Sequence, residues 1–114
     1  ELFPRLAERL DQKAGSMSGG ERKILAFVRT MLEDTALIIL DEPSEGVQQE
    51  NISCMEWCLK DRKKQGGATI LIEQNLSLLT SVADDLLGLD SGRTVLKKLS
   101  SETTREQMLE VLSI

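Results

Sequence analysis

The stretch "ALIILDEP", residues 36–43, decides the fold of this chain. Five consecutive apolar residues precede two acids, Asp41 and Glu42, and then a proline. A continuous apolar run of this length predicts a strand that is buried on both faces, as in a parallel sheet covered by helices. Ligands of open parallel sheets bind at the carboxyl ends of the strands, so both acids lie where chemistry is expected.

Helical and strand-like segments alternate along the rest of the chain, and the turn at Ser91-Gly92 predicts a hairpin near its end. This alternation predicts an α/β fold with a mainly parallel sheet and flanking helices. The predicted elements are a short helix after Pro4, helices over Glu21–Glu33, Gln48–Gln65 and Asn75–Ala83, strands over Ala36–Asp41, Ala68–Glu73, Asp85–Asp90 and Thr94–Leu99, and a last helix that begins at Thr103 with Glu106 completing a capping box.

Composition excludes several classes of protein. The net charge of −5 argues against a general affinity for nucleic acids or anionic membrane surfaces. No apolar run approaches the roughly 18 to 20 residues that span a bilayer, and we expect a cytosolic protein. The two cysteines, Cys54 and Cys58, lie four apart on one predicted helix, which suits a disulfide poorly. Without histidine, a zinc site is not expected.

A second stretch, "SMSGGE" at residues 16–21, lies upstream of the apolar run. Ser18, Gly19 and Gly20 precede a predicted helix, whose free N–H groups and dipole favour an anion. Glycine also allows close approach to the backbone, because no Cβ intervenes. A flexible hinge before a helix is the alternative interpretation. The usual phosphate-binding loop, G-x-x-x-x-G-K-[ST], does not occur in the 114 residues.

Taken in order, these motifs resemble the nucleotide-binding domain of the ABC ATPases, a P-loop NTPase fold. "MSGGE" resembles the signature motif, with Met17 in place of the usual leucine, and "LIILDE" resembles Walker B. "PSEGV" is similar to a variant D-loop, and "LIEQN" to the switch loop. The branch that this sequence resembles most is the ATPase subunits of branched-chain amino acid importers, in which Gln, as at Gln74, is usual where other members carry His.

The resemblance implies ATP and Mg²⁺ as cofactors, and two nucleotide-binding subunits that meet head to tail. Each signature loop then covers the γ-phosphate of an ATP molecule that the other subunit holds. The roles it implies are contacts with ATP for Ser18, Gly19, Gly20 and Glu21, a magnesium ligand for Asp41, a general base for Glu42, an inter-subunit loop for Glu45 and Gly46, and a γ-phosphate sensor for Gln74.

The resemblance also implies that the domain is incomplete. Residues 1–33 would be part of the helical subdomain, and residues 34–114 the C-terminal part of the ATPase core. The Walker A strand, which the family places between the "ATILIE" and "DLLGLD" strands, is absent and expected upstream of Glu1. We therefore expect a C-terminal fragment of an importer subunit that binds ATP weakly or not at all, lacks turnover, and self-associates at the open sheet edges. The intact subunit would work beneath membrane-spanning permease subunits, at the cytoplasmic face.

Two alternatives stay open. The chain could be a stand-alone interaction module derived from such an ATPase, without catalysis, which the missing Walker A loop favours. It could also belong to a soluble ATPase of the same family in DNA repair or translation, which the acidic net charge disfavours. A gene that continues upstream into a G-x-x-x-x-G-K-[ST] loop would exclude the stand-alone module.

Overall fold

The computed structural model describes residues 2–113, which form two compact units that divide after Glu73. Each unit combines helices with a two-stranded sheet. The α/β class predicted from the sequence is therefore confirmed. None of the helices within the described range is both long enough and apolar enough to cross a bilayer.

The first unit is built around a pair of parallel strands connected by a helix. Leu37 of the first strand lies opposite Ala68 of the second, and Asp41 lies opposite Ile72. Such a parallel connection requires a crossover, which the long helix between the strands provides. The elements of this unit are helix α1 (Pro4–Ala7), a 3-10 turn (Ala14–Ser16), helix α2 (Gly19–Met31), strand β1 (Leu37–Asp41), helix α3 (Gln49–Lys64) and strand β2 (Ala68–Ile72).

Apolar stripes along α2 and α3 supply buried residues of the first unit. Ile24 and Phe27 of α2 are buried, and the ring of Phe27 meets Phe3 edge to face. The inner stripe of α3 consists of Ile52, Met55 and Leu59, all buried, with Met55 wholly inaccessible to solvent.

The prediction that the apolar run at residues 36–43 forms a strand buried on both faces is wrong. Along β1, Ile38 is buried, whereas its neighbours Leu37 and Ile39 are 49% and 61% exposed. Ile70 and Ile72 of β2 are about half exposed as well. Successive side chains of a strand point to opposite faces of the sheet, and the described residues of this unit bury only one of those faces.

The second unit contains the predicted hairpin, which is confirmed as an antiparallel pair. Ser91 and Gly92 both have positive φ at its turn, as a two-residue turn of type I′ requires. Its elements are helix α4 (Leu76–Val82), strands β3 (Asp85–Asp90) and β4 (Arg93–Leu99), a 3-10 turn (Ser100–Glu102) and helix α5 (Arg105–Leu112). Its core consists of Leu76, Leu86 and Met108, with Leu79 and Ala83 packed against them.

The start of the last helix differs from the prediction. The capping box consists of Thr104 and Gln107, one residue beyond the predicted pair, Thr103 and Glu106. A glutamine at the third helical position returns a hydrogen bond to the cap as well as a glutamate does, so the sequence allowed both registers. The hydroxyl of Thr103 instead donates to the carbonyl oxygen of Leu99, 2.8 Å away.

Candidate functional site

The signature loop leads directly into α2, and Ser18 is the N-cap of that helix. The Ser18 hydroxyl accepts a hydrogen bond from the Glu21 N–H at 3.2 Å, and the Ser18 N–H donates to Glu21 Oε2 at 3.0 Å. This capping box satisfies two groups that would otherwise lack partners at the helix start. The loop is therefore fixed by its own side chains, which argues against the flexible hinge.

Two amides at this helix start remain available to a ligand. The N–H groups of Gly19 and Gly20 donate to no protein acceptor within residues 2–113. A Cβ added at Gly19 would meet nothing within 4 Å, so that position faces open space. Backbone N–H groups at a helix N-terminus favour anions, so this turn suits a phosphate.

Gly20 has a structural reason to be glycine that the sequence did not reveal. A Cβ at Gly20 would lie 2.7 Å from the carbonyl oxygen of Gly46. The first turn of α2 therefore packs closely against the loop that follows β1. Gly46 itself has a φ of +71°, a left-handed conformation that favours glycine.

Glu21 adds a negative charge beside this anion-favouring turn. Its carboxylate forms an ion pair with Arg9, 2.8 Å between Nη1 and Oε1. The hydrogen bond from the Ser18 backbone, aided by the charge of Arg9, holds the pKa of Glu21 below its ordinary value of 4.5. Glu21 is thus an ionised cap whose charge Arg9 balances, and its contact with ATP stays a prediction.

The two acids predicted at the end of β1 have different surroundings. Asp41 is the last residue of the strand and is exposed, whereas Glu42 is half-buried. Glu42 has a φ of +45°, a conformation that is rare outside glycine and costs on the order of 1–2 kcal/mol. Its N–H donates to the Ile72 carbonyl oxygen at 2.9 Å, which extends the parallel ladder by one bond. Strained residues of this kind cluster at functional sites.

The loop after Glu42 is anchored by a residue that the sequence analysis did not select. The backbone N–H of Ser44 donates to Oε1 of Glu73 at 2.8 Å, and Ser44 is itself buried. Glu73 directly follows β2, so its hydrogen bond to Ser44 connects the carboxyl end of β2 with the loop that follows β1. The available signal was its position, because an acid at the end of a second predicted strand parallels Asp41.

Lys23 is the second residue that the sequence analysis missed. Its ammonium group donates to the carbonyl oxygen of Glu42 at 3.1 Å and to Oε2 of Glu45 at 2.9 Å. The hydrogen bond and the charge of Lys23 lower the pKa of Glu45. Its only signal in the sequence was a spacing of three from Gly20, which places both residues on one face of α2.

The first unit therefore brings together most of the predicted site residues. The first turn of α2 lies against the loop that carries Glu42, Glu45 and Gly46, and Asp41 directly precedes that loop. Gln74 begins the second unit, where it is exposed and directly precedes Asn75, the N-cap of α4.

Asp41 fits a magnesium site in which the protein supplies only one or two carboxylate ligands. Within residues 2–113, no group of three or more cysteine or acidic side chains gathers that could hold a metal by itself. Mg²⁺ commonly binds one or two carboxylates and completes its shell with waters and the phosphates of a substrate. An exposed carboxylate at a strand end therefore fits Mg²⁺ that arrives with a nucleotide.

Comparisons with known proteins agree with the motif order. The family model for ABC transporters matches residues 2–45. The branched-chain amino acid transport ATP-binding protein BraG of Pseudomonas aeruginosa is 40% identical over 96 residues, 84% of this chain and 41% of BraG. The "Probable branched-chain amino acid transport ATP-binding protein LivF" of Archaeoglobus fulgidus is 28% identical over 113 residues, 98% of this chain and 48% of that protein. Other matches are named as a xylose/arabinose importer and as lipid A-core flippases.

Solved structures carry the same fold. MJ1267, an ATP-binding cassette of an ABC transporter, superposes with a TM-score of 0.69 at 26% identity, covering 97% of this chain and 42% of that one. The chain thus spans less than half the length of the relatives it matches. The P-loop NTPase-like fold class predicted from the sequence is confirmed. The ordered motifs, the geometry of the first unit and these matches show that this chain belongs to the ABC transporter ATP-binding family and carries part of its nucleotide-binding domain.

Proposed function

We propose that this chain supplies the signature loop, Walker B acids, D-loop and switch loop of an ATP-hydrolysing subunit of an ABC importer. The observation that carries the proposal is the packing of the first turn of α2, with its open Gly19 amide, against the loop that follows Asp41 and Glu42. This arrangement places an anion-favouring helix start and a pair of acids on the same compact unit.

The residue roles follow the motif matches. Mg²⁺ and ATP, when bound, supply the reacting phosphate and neutralise its charge, while this chain positions water and orients phosphate oxygens. Glu42 acts as the general base toward the attacking water, and Asp41 holds the metal. Ser18, Gly19, Gly20 and Glu21 meet the γ-phosphate of a nucleotide held by a second subunit. Glu45 and Gly46 belong to the inter-subunit loop, and Gln74 orients the γ-phosphate.

The transported substrates are branched-chain amino acids in this proposal. The 40% identity to BraG supports that substrate class over the sugars and lipids named for other relatives. The partners are a second nucleotide-binding subunit and membrane-spanning permease subunits, with no nucleic acid involved. The complete subunit works at the cytoplasmic face of the cell membrane.

Nucleotide binding also needs parts that this sequence does not contain. The Walker A loop supplies a lysine and most backbone contacts to the phosphates, and no G-x-x-x-x-G-K-[ST] occurs in the 114 residues. We expect the chain by itself to bind ATP weakly or not at all and to lack turnover. We also expect it to self-associate, because Leu37, Ile39, Ile70 and Ile72 leave an apolar sheet face exposed.

A non-catalytic interaction module is the second candidate, and the same missing loop favours it. The genomic sequence upstream of the codon for Glu1 distinguishes the two. A continuous reading frame that contains a Walker A loop supports the ATPase. A natural start near Glu1 supports the interaction module.

Glu42→Gln in the complete subunit tests the catalytic assignment. We expect ATP binding to be retained, the ATP-bound dimer to accumulate, and turnover to fall by about 10²-fold or more, as for loss of a general base. Glu33→Gln is the matched control, because Glu33 is exposed beyond the end of α2 and outside the site. Phosphate release and nucleotide affinity are measured for both variants. Near-parental turnover in Glu42→Gln would remove Glu42 from the catalytic role.

A further inference from the structure

We propose that Lys23 is a positioning residue that ties α2 to Glu42 and thereby sets the orientation of the general base. The inference rests on the proposed function, since it concerns hydrolysis at Glu42. Two contacts carry it: the Lys23 ammonium donates to the Glu42 carbonyl oxygen at 3.1 Å and to Glu45 Oε2 at 2.9 Å.

The contact with Glu42 matters because of the backbone strain there. A residue with a φ of +45° keeps that conformation only when its surroundings hold it. The N–H of Glu42 donates to the carbonyl oxygen of Ile72. The carbonyl oxygen of Glu42 accepts from Lys23 and, over a longer 3.3 Å, from the Glu45 N–H. Loss of the ammonium group would remove the shorter of these two hydrogen bonds to that carbonyl.

Lys23 lies on α2, and the first turn of α2 packs against the same loop, residues 42–46. Gly20, one turn earlier on the same face of α2, approaches the Gly46 carbonyl so closely that a Cβ would not fit. The loop between Glu42 and Gly46 is thus attached to α2 at both of its ends. The loop that carries Glu42 and the first two turns of α2 are therefore in contact at two points.

The ion pair with Glu45 does not explain the arrangement by itself. The Glu45 side chain is 71% exposed, and exposed ion pairs contribute little to stability. The contact with the Glu42 carbonyl, which is partly buried, is the one expected to affect catalysis.

The test replaces Lys23 in the complete subunit. Lys23→Met should lower kcat about ten- to a hundredfold, because misplacement of a catalytic group by about 1 Å can cost up to about 10²-fold. KM for ATP should change less than about twofold, since Lys23 touches no nucleotide in this scheme. Lys23→Arg keeps a charged donor and should recover most of the lost kcat. In the control Lys60→Met, an exposed lysine on α3 loses its ion pair with Glu56, and kcat should not change.

Hydrogen exchange provides a second readout that does not depend on turnover. The Glu45 amide, which donates to the Glu42 carbonyl, should exchange faster in Lys23→Met and normally in Lys60→Met. Unchanged kcat and unchanged exchange in Lys23→Met, alongside a Glu42→Gln variant without turnover, would overturn the role of Lys23 and leave the proposed function standing. Undiminished turnover in Glu42→Gln would overturn both.

Discussion

Replacement of Gly20 by alanine tests the close packing at the centre of the first unit. An ideal Cβ at Gly20 lies 2.7 Å from the Gly46 carbonyl oxygen, whereas ordinary contacts begin near 3.4 Å. The Gly46 oxygen is a backbone atom, and the Cβ would be attached directly to the backbone of α2. The helix start or the loop must therefore move by about 0.7 Å to reach an ordinary contact distance. Overpacking of this kind typically costs about 1–3 kcal/mol.

Gly19→Ala is a matched control, because its Cβ would meet nothing within 4 Å. Alanine is favoured over glycine inside a helix by up to about 1 kcal/mol, and that gain applies to both variants. The difference between them therefore isolates the clash. We expect Gly20→Ala to be about 1–3 kcal/mol less stable than Gly19→Ala, which corresponds to a Tm difference on the order of 4–12 °C.

Urea and thermal unfolding of the two variants without nucleotide, followed by circular dichroism, measure this difference. Because nucleotide is absent, any role of either glycine in binding phosphate does not enter. Equal midpoints for the two variants would refute the close packing of Gly20 in α2 against the loop after β1.

Three further predictions concern the packing and titration of single side chains. Met55→Ala should destabilise the protein by about 2–5 kcal/mol in urea unfolding, because Met55 is wholly buried on α3. The pKa of Glu21 is lower in the folded state than its ordinary value of 4.5. The ionised carboxylate therefore stabilises the fold at pH values above 4.5, and this contribution disappears as the pH falls through the lowered pKa. The stability difference from Glu21→Gln should therefore shrink below pH 4.5, and a constant difference would contradict the assignment. Burial raises the pKa of Cys58 above its ordinary value of 9.0, so in Cys54→Ser the remaining thiol should react slowly with iodoacetamide at pH 8 and faster after unfolding.

Local patterns were sufficient to predict most elements and the order of the motifs. Ile52, Met55 and Leu59 recur at helical spacing and share one buried face of α3, because the period of a helix is a local property. The apolar runs located both parallel strands, and Ser91-Gly92 located the hairpin. The capping box of α5 was misplaced by one residue, because neighbouring threonines and two suitable partners offered two local solutions.

Long-range geometry was decided by the tertiary structure. Lys23 reaches a carbonyl 19 residues away, and Glu73 reaches an amide 29 residues away, so neither contact has a local pattern. The positive φ of Glu42 likewise goes with hydrogen bonds to two distant segments, Lys23 on α2 and Ile72 on β2, rather than with its own preference. An apolar run shows that a strand can be buried, but neighbouring segments decide which of its faces is covered. Leu37 and Ile39 remain exposed for that physical reason.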